Sequence, residues 1–217
     1  MRVRKRDLLA LLLLTLAVAP ALAQTKVYRG DTVTISGVVR DELGNPVAGA
    51  TVRLLDGATV LDSTTTGSDG SFTLSWTVPS DHPLGPKTLT VYVPEQPSLY
   101  VEASSTSVSI EIWALVVISA SGPQRIHRGD TVTITGTVQG MSSGTVEVQC
   151  NGNTIATGSV SGSQFSVSFT VPNDWQKGPI TLKVTSPGGS YVDVQGSQVN
   201  TELWIRPTIE VTEVSGG

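Results

Sequence analysis

Few residues in this sequence could do chemistry. The 217-residue chain has two histidines, His82 and His127, and one cysteine, Cys150. A hydrolytic or transfer site needs a nucleophile beside a base, or a pair of acid–base groups. His82 lies in the loop Ser80-Asp81-His82-Pro83, and His127 stands beside an Arg-Gly-Asp turn. Their counterparts in an internal repeat are Trp175 and Tyr28, so neither position keeps its imidazole. Cys150 ends the run Thr145-Val146-Glu147-Val148-Gln149-Cys150 on the face of Val146 and Val148, and reads as a small buried hydrophobe. One cysteine excludes an intrachain disulfide framework, and two histidines with it fall short of a zinc set. Asp41, Asp69 and Asp174 sit in turns, with no short run of the converging oxygens that calcium takes. No catalytic, metal-ligating or cofactor-binding residue is assigned, no cofactor is expected, and the chain reads as a non-enzyme.

Two further patterns invite a binding role. Arg29-Gly30-Asp31 and Arg128-Gly129-Asp130 spell a tripeptide that elsewhere serves integrin recognition. Both copies precede a Thr-Val-Thr-Ile run. Glycine there supplies a permissive turn and aspartate a partner for nearby backbone N–H groups, so the structural reading is preferred. Trp76, Trp113, Trp175 and Trp204 read as core or interdomain packing, and Trp113 and Trp204 occupy one repeat position, at a junction. The net charge of −4 argues against nucleic-acid binding through a basic surface.

These residues must be held by strands. Only 15% of the chain is charged and 5% aromatic, while Ser, Thr, Gly and Val abound, which suits strands and turns. The chain also repeats itself. VYRGDTVTISGVV from Val27 recurs as IHRGDTVTITGTV from Ile126, at an offset of 99. SFTLSWTVPSDHPLGPKTLTVYVP from Ser71 recurs as QFSVSFTVPNDWQKGPITLKVTSP from Gln164, at an offset of 93. Glu111-Ile112-Trp113 recurs as Glu202-Leu203-Trp204, at an offset of 91. Blocks in constant order with a slowly drifting offset mark a duplication. Each copy alternates at period two: Val33, Ile35, Gly37 and Val39 in one row, Phe72, Leu74, Trp76 and Val78 in another. Turn residues separate the rows. The pattern predicts an all-β chain of two tandem Ig-like antiparallel β-sandwiches.

The stretch Gly44 to Leu74, with Asn45-Pro46-Val47-Ala48-Gly49-Ala50-Thr51-Val52 and Asp69-Gly70-Ser71-Phe72, resembles prokaryotic extracellular Ig-like and transthyretin-like repeat modules. These include carboxypeptidase-regulatory-like and invasin-type domains. The second copy departs from the pattern, since Gly140-Met141-Ser142-Ser143-Gly144 replaces the Gly-Asn-Pro loop. The resemblance implies an extracellular stalk, adhesin or filament module and carries over no catalytic residue.

The ends of the chain complete the organisation. Residues 1–23 combine Arg2, Arg4, Lys5 and Arg6 with an apolar run from Leu8 to Val18 and Ala21-Leu22-Ala23, a cleavable signal peptide. No later stretch is long enough to span a membrane as a helix. The first sandwich then covers 24–113 and the second 114–204. Fourteen residues, Ala114 to His127, precede the second turn and hold a first strand; only Gln24 to Tyr28 precede the first turn, too few for that strand. The first unit is therefore expected to lack it. Residues 205–217 form an orphan strand in which Ile205, Pro207, Ile209 and Val211 share a face, with Ile209 the counterpart of Ile118. Docking of this tail into the first unit of a neighbour would repair both defects by β-strand addition. Being head-to-tail it would give a homopolymer, a secreted cell-surface filament, and it resembles donor-strand pilus or thread subunits. Other readings stand beside it. The tail is the start of a longer chain, or folds back, or stays disordered. Alternatively, the chain is an adhesive or spacer module that binds a surface glycan or protein.

Overall fold

A computed structural model describes residues 24–216; the expected signal peptide and its cleavage site lie outside these residues. The described chain is all-β. Its strands are β1 Thr25–Tyr28, β2 Thr32–Val38, β3 Thr51–Asp56, β4 Thr59–Thr65, β5 Ser71–Thr77, β6 Gly85–Val93, β7 Ser104–Ser121, β8 Arg125–His127, β9 Thr131–Gln139, β10 Ser143–Cys150, β11 Asn153–Ser161, β12 Gln164–Thr170, β13 Gly178–Thr185, β14 Val192–Gln195 and β15 Ser197–Trp204. Apart from a 3₁₀ turn at Pro97–Leu99, no helix occurs among the described residues.

Period-two alternation becomes two cores. Val52, Leu54, Leu74, Val78, Leu89, Ile110 and Ile112 are buried together in the first. Ile118, Ile134, Val138, Val146, Val148, Phe165, Val167 and Leu182 are buried in the second. In the first unit, β4-β3-β6-β7 form one sheet and β2-β5 a separate two-stranded one. In the second unit the order is β7-β9-β12-β11-β10-β13-β15-β8, with β11 and β12 joined by only two residue pairs near their turn. The sheet therefore folds over there to close round its core.

β7 belongs to both units. Its first half pairs antiparallel with β6, from Gly85↔Ile112 to Val93↔Ser104. Its second half pairs antiparallel with β9, from Val117↔Gln139 to Ser121↔Thr135. Neither Gly nor Pro interrupts Ser104 to Ser121, so eighteen residues run extended for about 60 Å.

The long ladders are antiparallel, and three short pairings are parallel. β1 pairs parallel with β7, β8 parallel with β15, and β14 parallel with β7. Gln24 to Tyr28 do not supply the first strand that Ala114 to Ser121 supply in the second unit, but they hold a shorter one. Four of them form β1, with Val27 buried and aligned to Ile112, just as β8 sets Ile126 against Leu203. A parallel graft onto an existing sheet needs no tight turn and so few residues. What the described first unit lacks is the counterpart of the second half of β7: no strand lies along the outer edge of β2, whereas β9 has β7 there.

Candidate functional site

The unoccupied edge of β2 changes the burial of residues that the repeat makes equivalent. In the second unit Ile134, Val138 and Phe165 are buried, covered by Ile118 and Ala120 of β7. Their counterparts Ile35, Val39 and Phe72 are only half-buried. The residues are similar and the turns alike; the strand beside β2 is what differs. Val38, next to Val39 on the outer face, is also exposed.

The tail is the counterpart of that covering strand. Residues 205–216 form no strand or bridge. Ile209 is 91% exposed, and Ile205, Val211 and Val214 are exposed as well. Pro207 shares their alternation and lies exposed among them. At the offset of 91, Ile209 and Val211 answer to Ile118 and Ala120. The base of the tail is tied to the second unit by Arg206, whose Nη2 donates to both oxygens of Asp130 at 3.0 and 3.3 Å. Pro207 stands where β7 has Val116 and has no N–H, so one rung of a copied ladder is missing.

Trp113 marks the boundary between the units. Its indole meets Tyr191 edge-on at 5.3 Å, and the Lys26 ammonium lies 3.8 Å from its ring centre. Lys26 and the Tyr28 hydroxyl both donate to Asp193 Oδ2 of the second unit. Hydrogen bonds from Lys26 and then Tyr28 hold the Asp193 carboxyl below its ordinary range, against a smaller upward push from burial. Trp204 holds the corresponding position on the second unit. It lies at the far end of the second unit, 44% exposed, with Arg125 stacked 3.8 Å from its ring centre.

The Arg-Gly-Asp turns are built into the frame. Gly30 and Gly129 have φ of +88° and +78°, and their N–H groups donate to Val78 and Val171 carbonyls. Arg128 donates to the Trp175 carbonyl, and Arg29 to the equivalent His82 carbonyl. Asp31 and Asp130 accept the N–H groups of Tyr28 and His127. In each turn arginine and aspartate alike are drawn into local contacts.

The other reactive groups are dispersed. His82 packs edge-on against Trp76, and its Nδ1 lies 2.8 Å from the Pro83 carbonyl oxygen. His127 Nδ1 lies 3.1 Å from Asp130 Oδ2. Burial pushes the Cys150 thiol up, away from the reactive thiolate. Asp41 and Asp69 are consumed by their own turns, accepting from Asn45 and from Ser71 respectively. Among the described residues no three His, Cys, Asp or Glu side chains cluster as a metal site, and no helix is long and apolar enough to cross a membrane.

Residues 34–111 match the family model of the carboxypeptidase regulatory-like domain. The matched segment runs from β2 into β7 and contains the stretch Gly44 to Leu74 that carried the resemblance. None of the curated proteins matches the chain. Among solved structures, the fibronectin(III)-like modules of Clostridium thermocellum CbhA are similar at 13% identity and a TM-score of 0.36, over 90% of this chain and 97% of theirs. The titin domains Z1Z2 in complex with telethonin are similar at 16% identity and a TM-score of 0.37, over 84% and 92%. A 1.5-MDa bacterial ice-binding adhesin is similar at 18% identity and a TM-score of 0.32, over 83% of this chain and 60% of that one.

Proposed function

We propose that this chain is a non-catalytic structural subunit of an extracellular filament, assembled when the tail of one copy lies along β2 of the next. The observation that carries the reading is the burial contrast between Ile35, Val39 and Phe72 and their covered counterparts Ile134, Val138 and Phe165. A segment with the matching alternation lies unpaired on the same molecule. Transferring the β7–β9 register by the repeat offsets sets Ile209 opposite Val39 and Val211 opposite Gly37. Burying an isoleucine or valine side chain contributes about 1.5–3 kcal/mol. Ordering the tail costs about 1–2 kcal/mol per residue, so it stays unpaired until a groove receives it. The contact is head-to-tail and propagates. The leader over 1–23 fits export to the surface where such a fibre would stand.

The test is electron microscopy and sedimentation of protein beginning at Gln24. Fibres or oligomer ladders are expected without any ligand. Deleting 205–217 should leave monomers, and Ile209→Asp should do the same, because a carboxylate on the inward face would be buried unpaired. Thr208→Asp points outward and should still assemble. A peptide of residues 206–214 should raise the melting temperature of the first unit. Assembly of the deletion variant at the wild-type level would overturn the proposal, and a stable monomer with a saturable surface ligand would favour the adhesive or spacer module.

A further inference from the structure

The internal boundary between the two units is a built contact, and each of its halves recurs, unpaired, at an opposite end of the molecule. One half is the Trp113 face, with Lys26 stacked on the indole and Gly85 placed so that a Cβ there would stand 3.6 Å from the Tyr191 ring. Its repeat counterpart is the Trp204 face. There Arg125 stacks on the indole at the same 3.8 Å, and Trp204 Nε1 donates to Glu202 as Trp113 Nε1 does to Glu111. Gly178, the counterpart of Gly85, has a similar φ, +121° against +114°, and nothing lies within 4 Å of where its Cβ would be. A recess of about 490 Å³ opens there, lined by Gly178, Pro179, Trp204 and Ile205 among others.

The other half of the boundary is Tyr191 and Asp193. At the offset of 91 these become Tyr100 and Glu102. Tyr100 has φ of +55° and Tyr191 of +59°, a left-handed conformation that tyrosine rarely adopts, so both rings are presented from the same backbone geometry. Tyr191 is half-buried against Trp113; Tyr100 is 96% exposed. An exposed tyrosine in a strained conformation and an empty aromatic recess thus stand at opposite ends of one chain.

We infer that the Trp204 face binds the Tyr100–Glu102 face of a second copy, reproducing the internal Trp113–Tyr191 junction between molecules. This rests on the filament reading and specifies which surfaces meet at its joint. Tyr100 fills the recess over Gly178 and Trp204. Glu102 takes the place of Asp193, and faces Arg125 and His127 where Asp193 faces Lys26 and Tyr28. The parallel register of Asp193 with Leu115 transfers to Glu102 with Arg206, adding a second cation opposite the same carboxylate. Charge thus joins shape in the choice of occupant. The joint sets the tail at the start of the β2 edge, so one docking event positions the other.

Charge reversal tests the joint. Glu102 and Arg125 are exposed, so Glu102→Arg and Arg125→Glu should each remain folded. Each alone meets a like charge at every joint and should not assemble. Mixed in equal amounts, the two variants meet opposite charges at every joint and should form alternating fibres. Tyr100→Ala should raise the concentration needed for assembly by about tenfold, as loss of a buried aromatic contact requires. If both charge variants assemble alone as well as wild type, this joint is wrong while strand donation stands. If wild-type protein does not assemble at all, the filament reading itself fails.

Discussion

At Asp193 two donors of the first unit converge, the Lys26 ammonium and the Tyr28 hydroxyl. The pair they form has a defined pH window. The Asp193 carboxyl titrates below its ordinary 3.8 in the folded chain, so its contribution is complete above that value and is lost as pH falls through the folded value. Lys26 titrates above its ordinary 10.5, chiefly because of its hydrogen bond to Asp193, so its contribution is present below that value and lost as pH rises further. Asp193→Asn should therefore melt below wild type at pH 7. The difference should shrink as pH falls through the folded value and disappear below it, where wild type is protonated as well. A difference that persists unchanged at low pH would assign the loss to packing instead of charge.

At the scale of the strand, two glycines report on the edge of β2. A Cβ at Gly136 would stand 2.0 Å from the Ser119 carbonyl oxygen of β7 and 2.7 Å from the Phe165 ring. At Gly37 the same atom meets only the Phe72 ring, also at 2.7 Å. Phe72 is half-buried beside the open edge and has room to move. Gly136→Ala should cost about 1–3 kcal/mol in urea unfolding, as overpacking against backbone does. Gly37→Ala should cost less in the isolated subunit, yet block assembly, because its methyl occupies the place where the Glu210 carbonyl of a docked tail would fall. Equal destabilisation of both variants, with assembly intact, would show that no strand comes to lie beside β2.

For the whole molecule, β7 replaces a linker. It is paired with β6 and β1 up to Trp113 and with β14 and β9 from Ala114, so no unpaired residue separates the units. The Trp113–Tyr191 contact and the Lys26–Asp193 pair brace the same boundary. Solution scattering from the deletion variant lacking 205–217 should fit one rigid two-unit particle. Inserting four Gly and Ser residues between Trp113 and Ala114 should broaden its distance distribution and leave each unit folded. If the insertion changes nothing, the strand is not what couples the units.

Alternation, turn chemistry and duplication are local or repeated features, so the all-β fold and the order of its rows were legible residue by residue. The unmatched first strand and the alternating tail were legible too, because an internal repeat supplies its own ruler. Local pattern could not tell that Thr25–Tyr28 would pair parallel with β7, since a four-residue strand is defined by the sheet it joins. Nor could it join Lys26 to Asp193, 167 residues away, or set Arg206 against Asp130. Tyr100 and Tyr191 look alike in the sequence, and only the folded chain distinguishes them, by placing one against Trp113 and leaving the other bare. Period and turn are properties of neighbours along the chain, whereas burial depends on which distant surface arrives to exclude water.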